Sequence, residues 1–202
     1  MSSLLPLFPL DVVLLPSVPL PLHIFEPRYR EMIGECLADK LPFGVVRAKE
    51  EGVAEVGCTA EITAVVKKYP DGRMDIVTEG RRRFEVMEVN QERAFLRAEV
   101  FYLTDEPDQA AAAEIERALK LHAEIMALAG AESEARSNNP KMLSFKLVGS
   151  LPLDLDFKQT LLGINSEAER VQAVIACFET ILPNLRRTVE VRKRAGGNGH
   201  VH

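Results

Sequence analysis

The side chains able to do chemistry are few in this chain, and they are poorly spaced for it. The four histidines are His23, His122, His200 and His202. A nucleophilic hydrolase needs a hydroxyl or thiol beside a base, a group that orients the base, and an oxyanion hole. Ser17 and His23 share one short proline-rich segment, but the sequence supplies none of the other parts there. His122 falls on the apolar stripe of a helical pattern, the place of a boundary or core histidine. His200 and His202 sit in a glycine-rich tail, which offers no surrounding groups to orient metal ligands.

The three cysteines are Cys36, Cys58 and Cys177, an odd number with no close pair. That argues against a disulfide framework or a Cys-x-x-Cys metal knuckle. Cys36 lies on an apolar helix face and Cys177 beside Phe178, as inert core thiols do. There is no Gly-x-x-x-x-Gly-Lys-Ser/Thr loop, no Gly-x-Gly-x-x-Gly after a strand, and no His-Glu-x-x-His. No catalytic, cofactor-binding or metal-ligating residue is therefore assigned, and no cofactor is expected.

The most conspicuous charged run is Arg81-Arg82-Arg83. It could meet phosphate or an acidic peptide. The plainer reading is one arginine packed over a sheet and two in solvent, with Glu79 and Glu85 neutralising much of the field. The chain is acidic, with net charge -5. It has 13 basic and 17 acidic residues up to Asp105, and 12 and 13 after it. A nucleic-acid backbone is thus an unlikely partner. A second basic cluster, Arg186 to Arg194, is expected to complement the end of a helix.

The elements that would carry these residues can be read from periodicity. Hydrophobic residues make up 47% of the chain and there is no tryptophan, so the core is mainly aliphatic. The first 25 residues read as extended chain, with Leu4–Phe8 and Val12–Leu15 as edge strands or strand ends bounded by proline. Those prolines and Asp11 exclude a signal peptide or spanning helix, so the reading is a soluble, cytoplasmic protein with no membrane partner. Glu26-Pro27 opens a helix that fades at Asp39-Lys40, with Pro27 in the first turn. Strands are expected at 43–47, 59–69, 73–78, 83–89 and 94–103. Ala60, Ile62, Ala64 and Val66 should share one face. Pro70-Asp71-Gly72 is a turn, and Glu79-Gly80 a break or bulge.

After Pro107 the period becomes helical. Ile115, Leu119, His122 and Met126 form one stripe, with Gly130 as a stop. Asn139 and Pro140 should start a second helix, and Asp154 or Asp156 a third. Ser166 with Glu169 forms a capping box for the last, in which Pro183 should kink or restart the helix. The expected organisation is a β-rich lobe over 1–105, a helical lobe over 106–194, and a disordered tail over 195–202.

Several stretches, in order, resemble one family. They are Leu5-Pro6-Leu7-Phe8-Pro9-Leu10-Asp11-Val12-Val13-Leu14-Leu15-Pro16, Pro21-Leu22-His23-Ile24-Phe25-Glu26-Pro27-Arg28-Tyr29-Arg30, and Glu55-Val56-Gly57-Cys58-Thr59-Ala60-Glu61-Ile62. Pro70-Asp71-Gly72-Arg73, Glu79-Gly80-Arg81-Arg82-Arg83-Phe84, Leu151-Pro152-Leu153, Lys158-Gln159-Thr160-Leu161-Leu162 and Glu169-Arg170 continue the match. Together, over about residues 4–192, they resemble the N-terminal domain of Lon-type ATP-dependent proteases and their stand-alone bacterial relatives. The resemblance implies an α+β fold: a PUA-like antiparallel β pseudo-barrel with one inserted helix, followed by a C-terminal helical bundle. It also implies binding of protein substrates, the role of this region in the full protease, where it helps the hexamer assemble.

The ATPase and the Ser-Lys protease of that family have no counterpart here, so neither activity carries over. The expectation is a non-catalytic module for proteins or unfolded peptide segments, an adaptor or regulator in protein quality control. A PUA-like nucleic-acid binder and a small-ligand-binding protein are the alternatives. Candidates for a peptide surface are Phe25, Pro27, Tyr29 and Phe43, in or beside a groove where the lobes meet. Glu26 and Arg28 are expected to serve the fold, with the arginine held by a carboxylate or strand-end carbonyls.

Overall fold

Strand β5 (Met74–Asn90) is long enough to meet three neighbours, and that sets the architecture. The computed structural model describes residues 4–131 and 142–196. The other strands are β1 (Leu5–Leu10), β2 (Pro19–Ile24), β3 (Phe43–Arg47), β4 (Val56–Lys68) and β6 (Arg97–Tyr102). Their order is β2-β5-β4-β3-β1-β6, and β6 returns to pair with β5. Five strands thus form a closed ring, and β2 extends the sheet outside it along the first half of β5. Helix α1 (Pro27–Asp39) is inserted between β2 and β3. Helices α2 (Ala112–Leu128), α3 (Leu143–Gly149), α4 (Leu155–Gly163) and α5 (Glu167–Gly196) follow the last strand. This is the expected α+β pseudo-barrel with a helical end, although β1 and β3 pair in parallel while the remaining pairings are antiparallel.

Local chemistry fixes the element boundaries. Pro27 occupies the first turn of α1, and Lys40 ends it in the left-handed region, its N–H returning to the Cys36 carbonyl. Gly72 turns the β4–β5 hairpin at φ 87°, where a side chain would be strained. Gly80 does not end a strand. It sits at a register shift within continuous β5, and a Cβ there would lie 2.2 Å from the Leu15 carbonyl oxygen. Inside the ring, Gly44 and Gly57 leave room for the Phe84 ring, which a Cβ at either position would meet at 2.7 or 2.6 Å.

The sequence misjudges several details. Strand β1 is interior to the sheet, not an edge. Its neighbour β6 pairs with Leu5 and Pro6 while β3 pairs with Leu7–Leu10, so each of Pro6 and Pro9 has a flank without a partner strand where a missing donor is tolerated. Val12–Leu15 forms no strand; Leu14 and Leu15 are buried as irregular chain against the Gly80 bulge. Val66 does not share a buried face with Ala60, because register shifts at Ile62/Ala64 and Val65/Lys67 rotate it outward to 66% exposure. Pro183 does not interrupt α5. It lies on the exposed side, where the carbonyl that loses its partner can be hydrated.

At the start of α5, Ser166 Oγ accepts from the Glu169 N–H at 3.0 Å, as a cap should. The other bonds come from Asp108, not from Glu169: its carboxylate accepts from Ser166 Oγ and from the N–H groups of Glu167 and Ala168. Asp154 is the cap of α4, accepting from Phe157 N at 3.0 Å. The expected helix start at Asn139-Pro140 lies outside the described residues. Helix α5 runs to Gly196, and the remainder of the tail lies outside them too.

One apolar cluster joins strands to helices, from Phe8, Met32 and Phe43 to Leu147, Val174 and Phe178. The polar joint beside it is built on two arginines. Arg83 of β5 donates to the carbonyls of Leu162 and Ile164, to Asn165 and to Asp105. Arg170 of α5 donates to Asp105, Ser144 and Glu167. Of the arginine run, therefore, one residue is buried in a joint, while Arg81 and Arg82 are exposed as expected.

Candidate functional site

Two surfaces carry exposed apolar side chains beside polar groups. The first is a ledge formed by β2, the β4–β5 hairpin and the start of α1. Phe25 is 58% exposed and Pro27 is exposed beside it. His23 packs on Phe25 at 5.9 Å between ring centres and meets the edge of Tyr69 at 5.9 Å. Asp75 holds these rings in place: its carboxylate lies 2.5 Å from His23 Nδ1 and accepts from Tyr69 Oη at 2.8 Å. Those two bonds keep the Asp75 carboxyl below its ordinary value. Arg30 anchors the hairpin tip to α1 by donating to the Asp71 carbonyl.

The other two surface candidates are buried. Tyr29 is 7% exposed and stacks on Phe8 at 4.0 Å, and burial raises its phenol above the ordinary value. Phe43 is fully buried, because it opens a strand that lies between β4 and β1 and faces the core. The helical and strand periods that mark both residues mark burial, not a binding face. Glu26 and Arg28 do pair, with Arg28 Nε and Nη2 on Glu26 Oε2 at 2.9 and 2.8 Å. The bond is local and exposed, and Glu26 makes no side-chain cap to α1.

The second surface is a pair of clefts flanking the α1–β3 link at Leu41-Pro42. One, about 370 Å³, is lined by Leu5, Tyr102, Arg93 and Arg97 among others. The other, about 550 Å³, lies between the end of α1 and the β4–β5 sheet, with Leu37, Ile62, Lys40, Arg81 and Arg82 in its walls. Leu41 and Pro42 line both, and Leu41 is 55% exposed. The wall is fixed by Arg93, which ties the β5–β6 link to α1 through Glu31 and Glu35 and lowers the Glu35 carboxyl. Sequence reading passes over this site. Its one local signal is an aliphatic residue before proline directly after a helix stop.

Neither surface assembles a nucleophile with a base. Ser17 lies in a turn before β2, at φ 61°, whereas His23 is near the far end of that strand with its ring nitrogen on Asp75. Cys36 borders both clefts, but burial pushes its thiol up to about 11, and Cys58 is pushed to about 12. Among the described residues no group of three or more His, Cys, Asp or Glu could hold a metal ion, and no helix is long and apolar enough to cross a membrane.

Residues 4–178 match the family model of the ATP-dependent protease La (LON) substrate-binding domain. A Lon protease of Parabacteroides distasonis is 32% identical over 52% of this chain and 14% of its own length. Lon protease 1 of Hydrogenovibrio crunogenus is 22% identical over 91% of this chain and 24% of its own. The chain thus spans a quarter or less of these curated relatives. Among solved structures, a Lon N-terminal domain protein from Xanthomonas campestris superposes with a TM-score of 0.70 at 27% identity, covering 86% of this chain and 98% of that one. The N-terminal domain of a Mycobacterium avium complex Lon protease shares the fold with a TM-score of 0.66 at 20% identity, covering 88% and 98%.

Proposed function

The chain belongs to the LON substrate-binding domain family, and from that premise we propose that it is a non-catalytic module that recognises proteins or unfolded peptide segments, as an adaptor or regulator in protein quality control. The observation that carries this reading is the pair of clefts around Leu41-Pro42, where an exposed aliphatic side chain lines two partly apolar hollows. Peptides are commonly held by apolar anchors in such grooves. Phe25 and Pro27 on the ledge are a further apolar contact for the same clients.

Addition of a strand to the β2 edge is a poorer mode. Val18 accepts from Gly80 N, so Val18, Leu20 and Leu22 bond inward to β5, and the alternate positions Pro19 and Pro21 face outward without donors. The test is titration of a labelled, reduced and carboxymethylated test protein into the chain and into Leu41→Asp. Saturable binding that weakens about tenfold or more in the variant supports the reading. Absence of binding to the unaltered chain overturns it. So does turnover of ATP or peptide at about 1 per second that copurifies with the folded protein.

A further inference from the structure

We infer that the cleft between α1 and β4 selects extended client segments in which an acidic side chain adjoins an aliphatic one. This deepens the cleft reading above and rests on it.

The charge at this cleft is unbalanced in a specific way. Arg81 is spoken for, bonded to Glu61 Oε2 at 2.6 Å and to Glu79 Oε1 at 2.7 Å. Arg82 has no carboxylate partner within ion-pair distance among the described residues. Its guanidinium lies 3.8 Å from the centre of the Tyr102 ring, which steadies its position without supplying a negative charge. Its backbone N–H is also fixed, donating to Thr59 Oγ1 at 2.9 Å. Lys40 is the second cation of the cleft wall with no ion pair to a described residue, and its left-handed backbone places it directly past the end of α1. Between them the wall is aliphatic, with Leu37, Leu41 and Ile62. A carboxylate can reach a positioned arginine here while its neighbour fills an apolar hollow.

The preference for an extended segment comes from β4. Strand β3 pairs with β4 only at Cys58–Ala60, so from Glu61 onward that side of β4 has no partner strand among the described residues. Glu61 and Ile62 stand in the cleft wall where this free side begins. A chain entering between Leu41 and Ile62 therefore meets open backbone groups as well as the two cations.

The test uses two labelled peptides with amidated C-termini, one repeating Leu-Glu and the other Leu-Gln, titrated by fluorescence anisotropy against the full chain. The acidic peptide is expected to bind at least about fivefold more tightly at low salt. That advantage should shrink as salt rises and vanish in Arg82→Gln and Lys40→Gln. Both residues being on the surface, melting curves should show the variants folded, and the readout is the ratio of acidic to neutral affinity within each variant. Equal binding of the two peptides overturns the charge inference and leaves the cleft reading standing. Binding of neither peptide overturns both. Displacement by a short oligonucleotide with no preference between the peptides also overturns it.

Discussion

Arg83 Nη2 and Arg170 Nη1 meet on a single oxygen, Asp105 Oδ1, at 2.9 and 2.7 Å. One arginine comes from the strand ring and the other from the last helix, so the bond joins the two halves of the fold. Arg170 is 0% exposed and also pairs with buried Glu167 at 2.8 Å. Phe145 lies under both guanidinium groups. Among the described residues two carboxylates, Asp105 and Glu167, face the two cations, which helps make such burial tolerable.

Arg170→Met should therefore lower stability by about 3–5 kcal/mol, because it leaves the buried Glu167 without its cation. Equilibrium urea unfolding measures this as a lower midpoint at unchanged slope. Adding Glu167→Gln to that variant should recover part of the loss. A single variant as stable as the parent would show that the joint is hydrated and energetically idle.

Gly80→Ala should cost about 1–3 kcal/mol or more. The added Cβ would lie 2.2 Å from a backbone oxygen, Leu15, which cannot rotate away as a side chain can. Gly34→Ala is the control, since nothing stands within 4 Å of its Cβ position. Thermal unfolding of the two variants side by side should separate them clearly.

His122 predicts a pH dependence. Burial holds its imidazole below the ordinary value of 6.5, while Ser150 Oγ lies 2.7 Å from its Nε2. Above about pH 6.5 the residue is neutral whether the chain is folded or not. Below it the unfolded chain takes up the proton first, so stability falls with pH until the lower folded value is passed. The midpoint of unfolding should thus decline between pH 7 and pH 5, and His122→Gln should flatten that decline. Asp75 and Asp108, lowered from 3.8, act at more acidic pH and leave this window alone.

Arg28→Ala should change stability by no more than about 1 kcal/mol. Its partner Glu26 is two residues away on the same turn, and both side chains are more than a third exposed. Thermal melting checks this. A larger loss would mean that the pair holds α1 against the ring after all.

The local punctuation of this protein was legible in its sequence. Pro27 opens α1, Gly72 turns the hairpin, Gly80 makes the bulge, and the change of period after Pro107 divides strands from helices. These are properties of a residue and its immediate neighbours, such as a fixed φ, a missing Cβ or an alternating face. The arginine run divides into one buried and two exposed side chains as expected, but alternation alone would put Arg81 and Arg83 on one face; the register shift between Gly80 and Arg83 is what separates them.

What only the tertiary structure decided are the relations between distant segments. β1 became interior because β6 and β3 meet different stretches of it. Tyr29 and Phe43 became core because α1 lies across the ring, with Phe8 beneath both of them. The clefts exist because α1 ends beside the place where β3 stops pairing with β4. Periodicity records that a face is covered but not what covers it. The long-range pairings that decide this leave no signature within any one window of the chain.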